Sequence, residues 1–227
     1  MAIKPTICIF GAGSEIARNI FKNNFKGYNI LPYSSYTNIK KVKDLKLVRY
    51  KNANQVLESI NKLKTSKISL IFFNNLSLHN LLINKSKTEL LEEINEGLLS
   101  PHEVVRKILP IMINKSWGRI IFIGSSRALK GDSGISGYMT SKYATLGYCK
   151  SISKEYGKFG ITSNYLSLGL FKKNLLKKVK NNDYKNIIRN TDTRNLGDFK
   201  SISNAIKFII NSDYVTGSTI NIDGGYM

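Results

Sequence analysis

The chain predicts an α/β fold: a Rossmann-type, doubly wound parallel sheet of about seven strands with helices on both faces, in a single domain. Short apolar, β-prone runs alternate with amphipathic helical segments along most of the 227 residues, the pattern of a parallel sheet covered on both sides. Ile68–Phe73 and Ile120–Ile123 are nearly unbroken apolar runs, as strands buried on both faces are. The glycines Gly11 and Gly13 punctuate the passage from the first strand to the first helix.

Taken in order, Thr6–Phe10 is the first strand, ended by Gly11-Ala12-Gly13-Ser14. Glu15–Asn23 carries helical spacing, with Ile16, Ala17, Ile20 and Phe21 apolar. Asn29–Tyr33 is a second strand and Leu45–Val48 a weaker third. Ala53–Leu63 places Val56, Leu57, Ile60 and Leu63 on one side of a helix. The strand Ile68–Phe73 stops at Asn74-Asn75-Leu76-Ser77. A long helical region, 87–114, has Pro101 and Pro110 as expected boundaries or kinks. Arg119–Ile123 is the next strand, Gly137–Tyr156 a helix, and Thr162–Leu166 a sixth strand. After a polar, basic stretch of weak helical pattern come a helix, Ile202–Ile210, and a closing strand, Ser218–Ile222. The right-handed crossover rule leaves few ways to connect such elements.

The length fits one core, because single cores grow to about 250 residues before chains split. No apolar run approaches the roughly 20 residues of a membrane helix. No signal-peptide pattern precedes the first strand. Cys8 and Cys149 are isolated and read as buried thiols of a reducing compartment, so a cytoplasmic location is expected. A net charge of +20 is compatible with an anionic partner. Its alternative is compositional: the excess is mostly scattered lysine, asparagine is abundant and alanine scarce. No arginine-rich arm or aromatic platform marks a nucleic-acid binder.

The chemistry is carried by Tyr138-Met139-Thr140-Ser141-Lys142. Four residues apart on a helix, a phenol and an ammonium share one face. A nearby positive charge favours the phenolate, and a tyrosine so tuned exchanges a proton with an alcohol or carbonyl oxygen. Ser125 lies 13 residues upstream, at the end of an apolar strand, where ligands of open parallel sheets bind. A serine there donates to a substrate oxygen; its alternative is a helix cap. The Gly11–Ser14 turn opens the first helix toward a diphosphate; its alternative is a plain strand-to-helix turn.

With these in place the chain resembles the short-chain dehydrogenase/reductase family, in its compact single-domain branch. Gly11-Ala12-Gly13-Ser14-Glu15-Ile16-Ala17 is similar to the family's glycine-rich turn, and Asn74-Asn75-Leu76-Ser77 to its NNAG strand end. Gly118–Ser125 is similar to its active-site serine strand, Tyr138–Lys142 to YxxSK, Leu168-Gly169 to a Pro-Gly pair, and Thr216–Gly225 to its C-terminal signature. The resemblance implies roles. Tyr138 would be the general acid or base, Lys142 would tune it and hold the nicotinamide ribose, and Ser125 would stabilise charge on the carbonyl oxygen. Asn95 would hold the water that links Lys142 to solvent. Gly11, Gly13, Ser14, Glu15, Ile16, Ser34, Asn74, Asn75, Gly169 and Leu170 would cradle the dinucleotide together with Tyr138 and Lys142. Residues 170–195 would form a mobile lid over the substrate, and its lysines and arginines suggest an anionic one, such as a nucleotide sugar, a phosphorylated sugar or an acyl thioester. A solvated lysine-rich surface is the alternative. A homodimer or homotetramer is implied, with a small-molecule substrate and no metal.

The departures weigh on the cofactor. Glu15 and Ala17 replace two fingerprint glycines, and Glu15 would bring a carboxylate toward the diphosphate unless it turns away. Leu76 and Leu168 replace an alanine and a proline, and Tyr50 stands about where the family often has an aspartate. The second strand ends in Tyr33-Ser34-Ser35, with neither the acid that selects NAD nor an arginine. Its hydroxyls and nearby Lys40 or Lys41 favour NADP(H) over NAD(H). The leading function is an NAD(P)-dependent oxidoreductase acting on a carbonyl or secondary alcohol. The alternative is a non-catalytic dinucleotide-binding regulatory or partner subunit.

Overall fold

In a computed structural model of the protein, residues 4–21, 24–34, 47–49, 52–63, 65–129, 131–171 and 188–226 are described. Seven strands form one parallel sheet in the order β3-β2-β1-β4-β5-β6-β7. They are β1 (Thr6–Phe10), β2 (Asn29–Ser34), β3 (Val48–Arg49), β4 (Ile68–Phe72), β5 (Gly118–Ser125), β6 (Ile161–Leu168) and β7 (Thr219–Ile222). The named helices among the described residues are α1 (Glu15–Phe21), α2 (Ala53–Asn61), α3 (Lys87–Ile94), α4 (Ser100–Asn114), α5 (Ser136–Tyr156) and α6 (Phe199–Asn211). A π-helical turn, Asn95–Leu99, joins α3 to α4.

The period-two alternation of the strands divides the core into two layers. Cys8 and Phe10, Leu70 and Phe72, Ile120 and Phe122 face α2, α4 and α5, whose Val56, Ile108, Met112 and Cys149 are buried against them. Ile7 and Ile9, Ile71, Ile121 and Ile123 face α1 and α6, which bury Ala17, Ile20, Ile202 and Ile206. On the first face the rings of Tyr33, Phe10, Phe72 and Phe122 stack across four strands at centroid spacings of 5.1, 4.8 and 5.2 Å. The in-register pairs Phe10–Tyr33, Phe10–Phe72 and Phe72–Phe122 place them so.

The chain runs outward from β1 to β3, then crosses back to lay β4 on the other side of β1. That reversal opens a crevice at the carboxyl ends of β1 and β4, the place where open α/β sheets bind ligands. Gly11 closes one side of it. Its φ of +71° suits glycine, and a Cβ there would lie 2.9 Å from the Phe73 carbonyl carbon.

The 87–114 region breaks at the π turn rather than at its prolines. Pro101 sits in the first turn of α4, where its missing N–H is no loss. Pro110 lies inside α4 and does not end it. Gly97 packs so closely on α5 that a Cβ would stand 2.7 Å from Ser141 Oγ. Thr145 Oγ1 donates to the Gly97 carbonyl at 3.1 Å. The start of α3 is set by a capping box: Ser86 Oγ accepts from the Glu89 N–H at 3.1 Å, and Glu89 Oε2 accepts from the Ser86 N–H at 2.7 Å. Ser86→Ala is expected to lower the unfolding free energy by about 1 kcal/mol, read as a fall in the urea midpoint at constant slope.

Tyr50, Ser35, Lys40, Lys41 and the lid lysines lie outside the described residues. Arg189 and Arg194, at the far end of that segment, are exposed.

Candidate active site

The first turns of α5 bring Tyr138 and Lys142 onto one face, opposite the end of β5 with Ser125. β5 reaches that position because residue 124 is glycine: a Cβ there would overlap the Tyr165 ring on the neighbouring strand. The three side chains share a cavity of about 770 Å³, within the range of small-molecule sites.

Lys142 is 5 % exposed. Its Nζ donates to the carbonyls of Ile123 at 2.8 Å and Asn74 at 3.1 Å. Burial pulls its pKa down to about 8, against the opposing pull of the Glu96 carboxylate. Tyr138 is held above its ordinary pKa by burial, while a hydrogen bond with Ser125 and the charge of Arg127 act to lower it. Arg127 is itself paired with Asp132. The expected tuning of Tyr138 by Lys142 therefore takes another form here. The ammonium lies 5.8 Å from the centre of the Tyr138 ring and gives its hydrogen bonds to two strand-end carbonyls.

The cavity extends from this corner to the ends of β1 and β2. Gly11, Gly13, Ser14 and Ile16 line it after β1, Ser34 at the end of β2, Asn75 after β4, Ser125 at the end of β5 with Tyr138 and Lys142 of α5, and Gly169 after β6. Asn74 stands behind the wall, 4 % exposed, and touches the site through its bond to Lys142. Glu15 and Leu170 do not line the cavity. The Glu15 carbonyl accepts from Asn19 Nδ2 at 2.7 Å, and the Leu170 carbonyl from the Gly197 N–H at 3.0 Å. The Ser14 hydroxyl accepts the Ala17 N–H at 3.2 Å and so caps α1.

Asn95 is not brought to the site. It is exposed, whereas Glu93 and Gly97, two positions to either side, are buried. A helical phase that turns 93 and 97 inward leaves 95 facing outward, and Glu96 enters the cavity instead. Glu96 and Arg18 are the charged wall residues that sequence reasoning missed. The signal for Arg18 was its position one turn after Ser14, from whose carbonyl its Nε lies 3.4 Å. The signal for Glu96 was the register of the buried face.

These features fit a nicotinamide dinucleotide. A glycine-walled cleft opens at the strand reversal, and a hydroxyl pair with a buried amine stands at its far end. Among the described residues no group of histidine, cysteine and acidic side chains could hold a metal ion. Nor is any helix among them long and apolar enough to cross a membrane.

Comparison with known proteins agrees with this geometry. The family described as Enoyl-(Acyl carrier protein) reductase matches residues 51–227. The chain is 31% identical over 228 residues to 3-oxoacyl-[acyl-carrier-protein] reductase FabG of Buchnera aphidicola subsp. Acyrthosiphon pisum, covering 95% of this chain and 92% of that one. It is 29% identical to the FabG of Buchnera aphidicola subsp. Schizaphis graminum, covering 98% and 97%. Among solved structures, a 4-hydroxyisoleucine dehydrogenase complexed with NADH superposes with a TM-score of 0.85 at 22% identity over 98% of both chains. ElxO with NADP bound superposes with a TM-score of 0.82 at 24% identity over 98% of both chains. At these identities the two structures show a shared fold.

Proposed function

This chain belongs to the short-chain dehydrogenase/reductase family and is an NAD(P)-dependent oxidoreductase; we propose that it reduces a 3-oxoacyl thioester to the 3-hydroxyacyl thioester with NADPH. The observation that carries this reading is the pair of hydroxyls, Ser125 and Tyr138, that faces one cavity with Lys142 buried beside it. Two hydroxyls side by side can hold a single carbonyl oxygen and donate to it as negative charge develops. A nicotinamide held between the glycine turn and Lys142 would supply the hydride for the carbonyl carbon. Tyr138 gives its proton to the oxygen, which becomes the hydroxyl of the product. Ser125 keeps that oxygen in place, and Lys142 offsets the phenolate left on Tyr138 until it regains a proton. Ile123, at the end of β5 with Ser125, and Leu168, its neighbour on β6, add apolar wall beside the hydroxyl pair, which strengthens these interactions.

Arg18 and Ser34 line the end of the cavity nearest the second strand. An arginine there accommodates a 2′-phosphate, and no acid is present on the described part of that edge to repel one. NADPH is therefore the proposed coenzyme. The relatives named for 3-oxoacyl substrates support a thioester, and a carrier-bound thioester is anionic, in keeping with the +20 net charge. Leu91, Leu99 and Tyr143 are each about half exposed along α3, the π turn and α5, which favours a homo-oligomer packed through these helices.

The test follows absorbance of the reduced nicotinamide with acetoacetyl-CoA and with crotonyl-CoA. Oxidation of NADPH on the keto thioester and not on the enoyl thioester is expected. Oxidation on the enoyl thioester alone would favour the activity in the family's description. Coenzyme binding without turnover of any carbonyl compound would favour the regulatory-subunit alternative. In the same titrations Arg18→Ala is expected to weaken NADPH about tenfold or more, from the loss of a charge-assisted bond, and to leave NADH unchanged.

A further inference from the structure

Lys142 is buried among groups that do not fully account for its charge. From its own helix it is faced by Tyr138, from the strand ends by the carbonyls of Asn74 and Ile123, and from the π turn by Glu96. On the strand side the Tyr165 phenol feels the charge of Tyr138. Among the described residues Arg127 and Arg18 are the other charges at the site, and both are cationic. Glu96 is thus the counter-charge of the cavity. It is held in place, because Asn74 Nδ2 donates to its Oε1 at 3.1 Å. The same asparagine accepts from Lys142 through its backbone, so Asn74 ties the carboxylate and the ammonium to one residue.

A second observation points the same way. Asn74 Oδ1 is buried and has no hydrogen-bond partner. A buried acceptor left open beside two charged groups is a site for ordered water. Among the described residues no direct ion pair joins Lys142 and Glu96, although each feels the other's charge. A water can bridge polar groups so placed. Each turnover of the proposed reduction takes up one proton, and Tyr138 must recover it from solvent. The exposed Asn95 is on the wrong side of the turn for that task, and Gly97 has no side chain.

We propose that Glu96 is a positioning residue for the reaction. Its carboxylate, tethered by Asn74, keeps the buried Lys142 charged and anchors the water through which Lys142 exchanges protons with solvent. In reduction, a solvent proton passes by way of this water to the Lys142 amine, and Lys142 in turn restores the proton that Tyr138 gave to the substrate oxygen. No bond to carbon is made or broken at Glu96. The inference rests on the reductase reading for its kinetic consequences, but the coupling of Glu96 to Lys142 does not.

Glu96→Gln is the test, because glutamine keeps an acceptor for Asn74 and removes only the charge. Without the carboxylate the Lys142 pKa falls below its value of about 8. The alkaline limb of the kcat profile should move to lower pH by about one unit or more, and Glu96→Asp should restore it toward wild type. An unshifted limb in an active Glu96→Gln enzyme would overturn the proposal.

A second readout needs no turnover. A lysine whose folded pKa is depressed carries a folding penalty that is full below that pKa and fades as pH rises toward the unfolded value. Unfolding free energy therefore climbs with pH across that window. Glu96→Gln should open the window at lower pH than wild type, and the difference should vanish when both are compared in a Lys142→Met background. A difference that persists without Lys142 would overturn the coupling. If the wild-type enzyme reduces no carbonyl compound, the reductase reading fails, and this stability cycle still decides the role of Glu96.

Discussion

Tyr138→Phe lowers kcat by about 10²- to 10⁴-fold, the usual worth of a positioned general acid, while NADPH affinity stays within about twofold of wild type and the thermal midpoint is retained. The substitution removes one oxygen and keeps the ring that packs beside Lys142. Ser125 still donates to the substrate oxygen, so KM changes little. The loss belongs to the transition state, where the oxygen becomes an alkoxide and has no acid beside it. The structure raises the Tyr138 pKa through burial, which keeps the phenol protonated at neutral pH and ready to act as an acid. A coenzyme titration by fluorescence, beside steady-state kinetics, separates the two effects. If Tyr138→Phe kept wild-type kcat, the assignment of the proton donor would be wrong.

The comparison between sequence and structure turns on how local each signal is. The helix holding Tyr138 and Lys142 and the strand ending at Ser125 were legible because their chemistry rests on spacing along one element. Gly11 was legible because a turn between strand and helix needs a residue that tolerates φ of +71°. The boundaries of β5 and β6, which run to Ser125 and Leu168, were read short because polar residues and a glycine interrupt the apolar pattern near their ends, yet pair fully with neighbouring strands. Asn95 was misplaced for a subtler reason. Its orientation depends on which face of α3 is buried, and a π turn shifts the register by a fraction of a turn. Glu96 then follows: buried Glu93 and Gly97 set the phase, and position 96 falls beside the cavity. Arg18 was passed over because an arginine on a short helix looks like a solvated side chain until the sheet order brings its helix and Ser34 to one cavity.

Glu93→Ala is expected to cost about 3–5 kcal/mol of stability, the penalty for leaving a buried charge without its partner. The Glu93 side chain is 0 % exposed and that of Lys85 2 % exposed, with Nζ 2.8 Å from Oε2. The pair does more than neutralise itself. Glu93 Oε1 accepts the Leu78 N–H at 2.9 Å, and Lys85 Nζ donates to the Leu78 carbonyl at 2.7 Å. One acid and one base therefore satisfy both backbone groups of Leu78 and fasten the chain after β4 to α3. The contact reaches α5 as well: Gly137 lies so close that a Cβ there would overlap Glu93 Oε2. Gly137 is the neighbour of Tyr138, so the buried carboxylate fixes the turn that presents the phenol. Alanine at position 93 would take the counter-charge from the Lys85 ammonium, leaving it only the Leu78 carbonyl, and would leave the Leu78 N–H without its acceptor. Lys85→Met should cost less than Glu93→Ala, because the carboxylate keeps its bond to the Leu78 N–H. Chemical denaturation of the two single variants and the double variant measures the coupling between them. A loss below about 1 kcal/mol for Glu93→Ala would place this pair among ordinary surface ion pairs and remove the link between the loop after β4 and the placement of Tyr138.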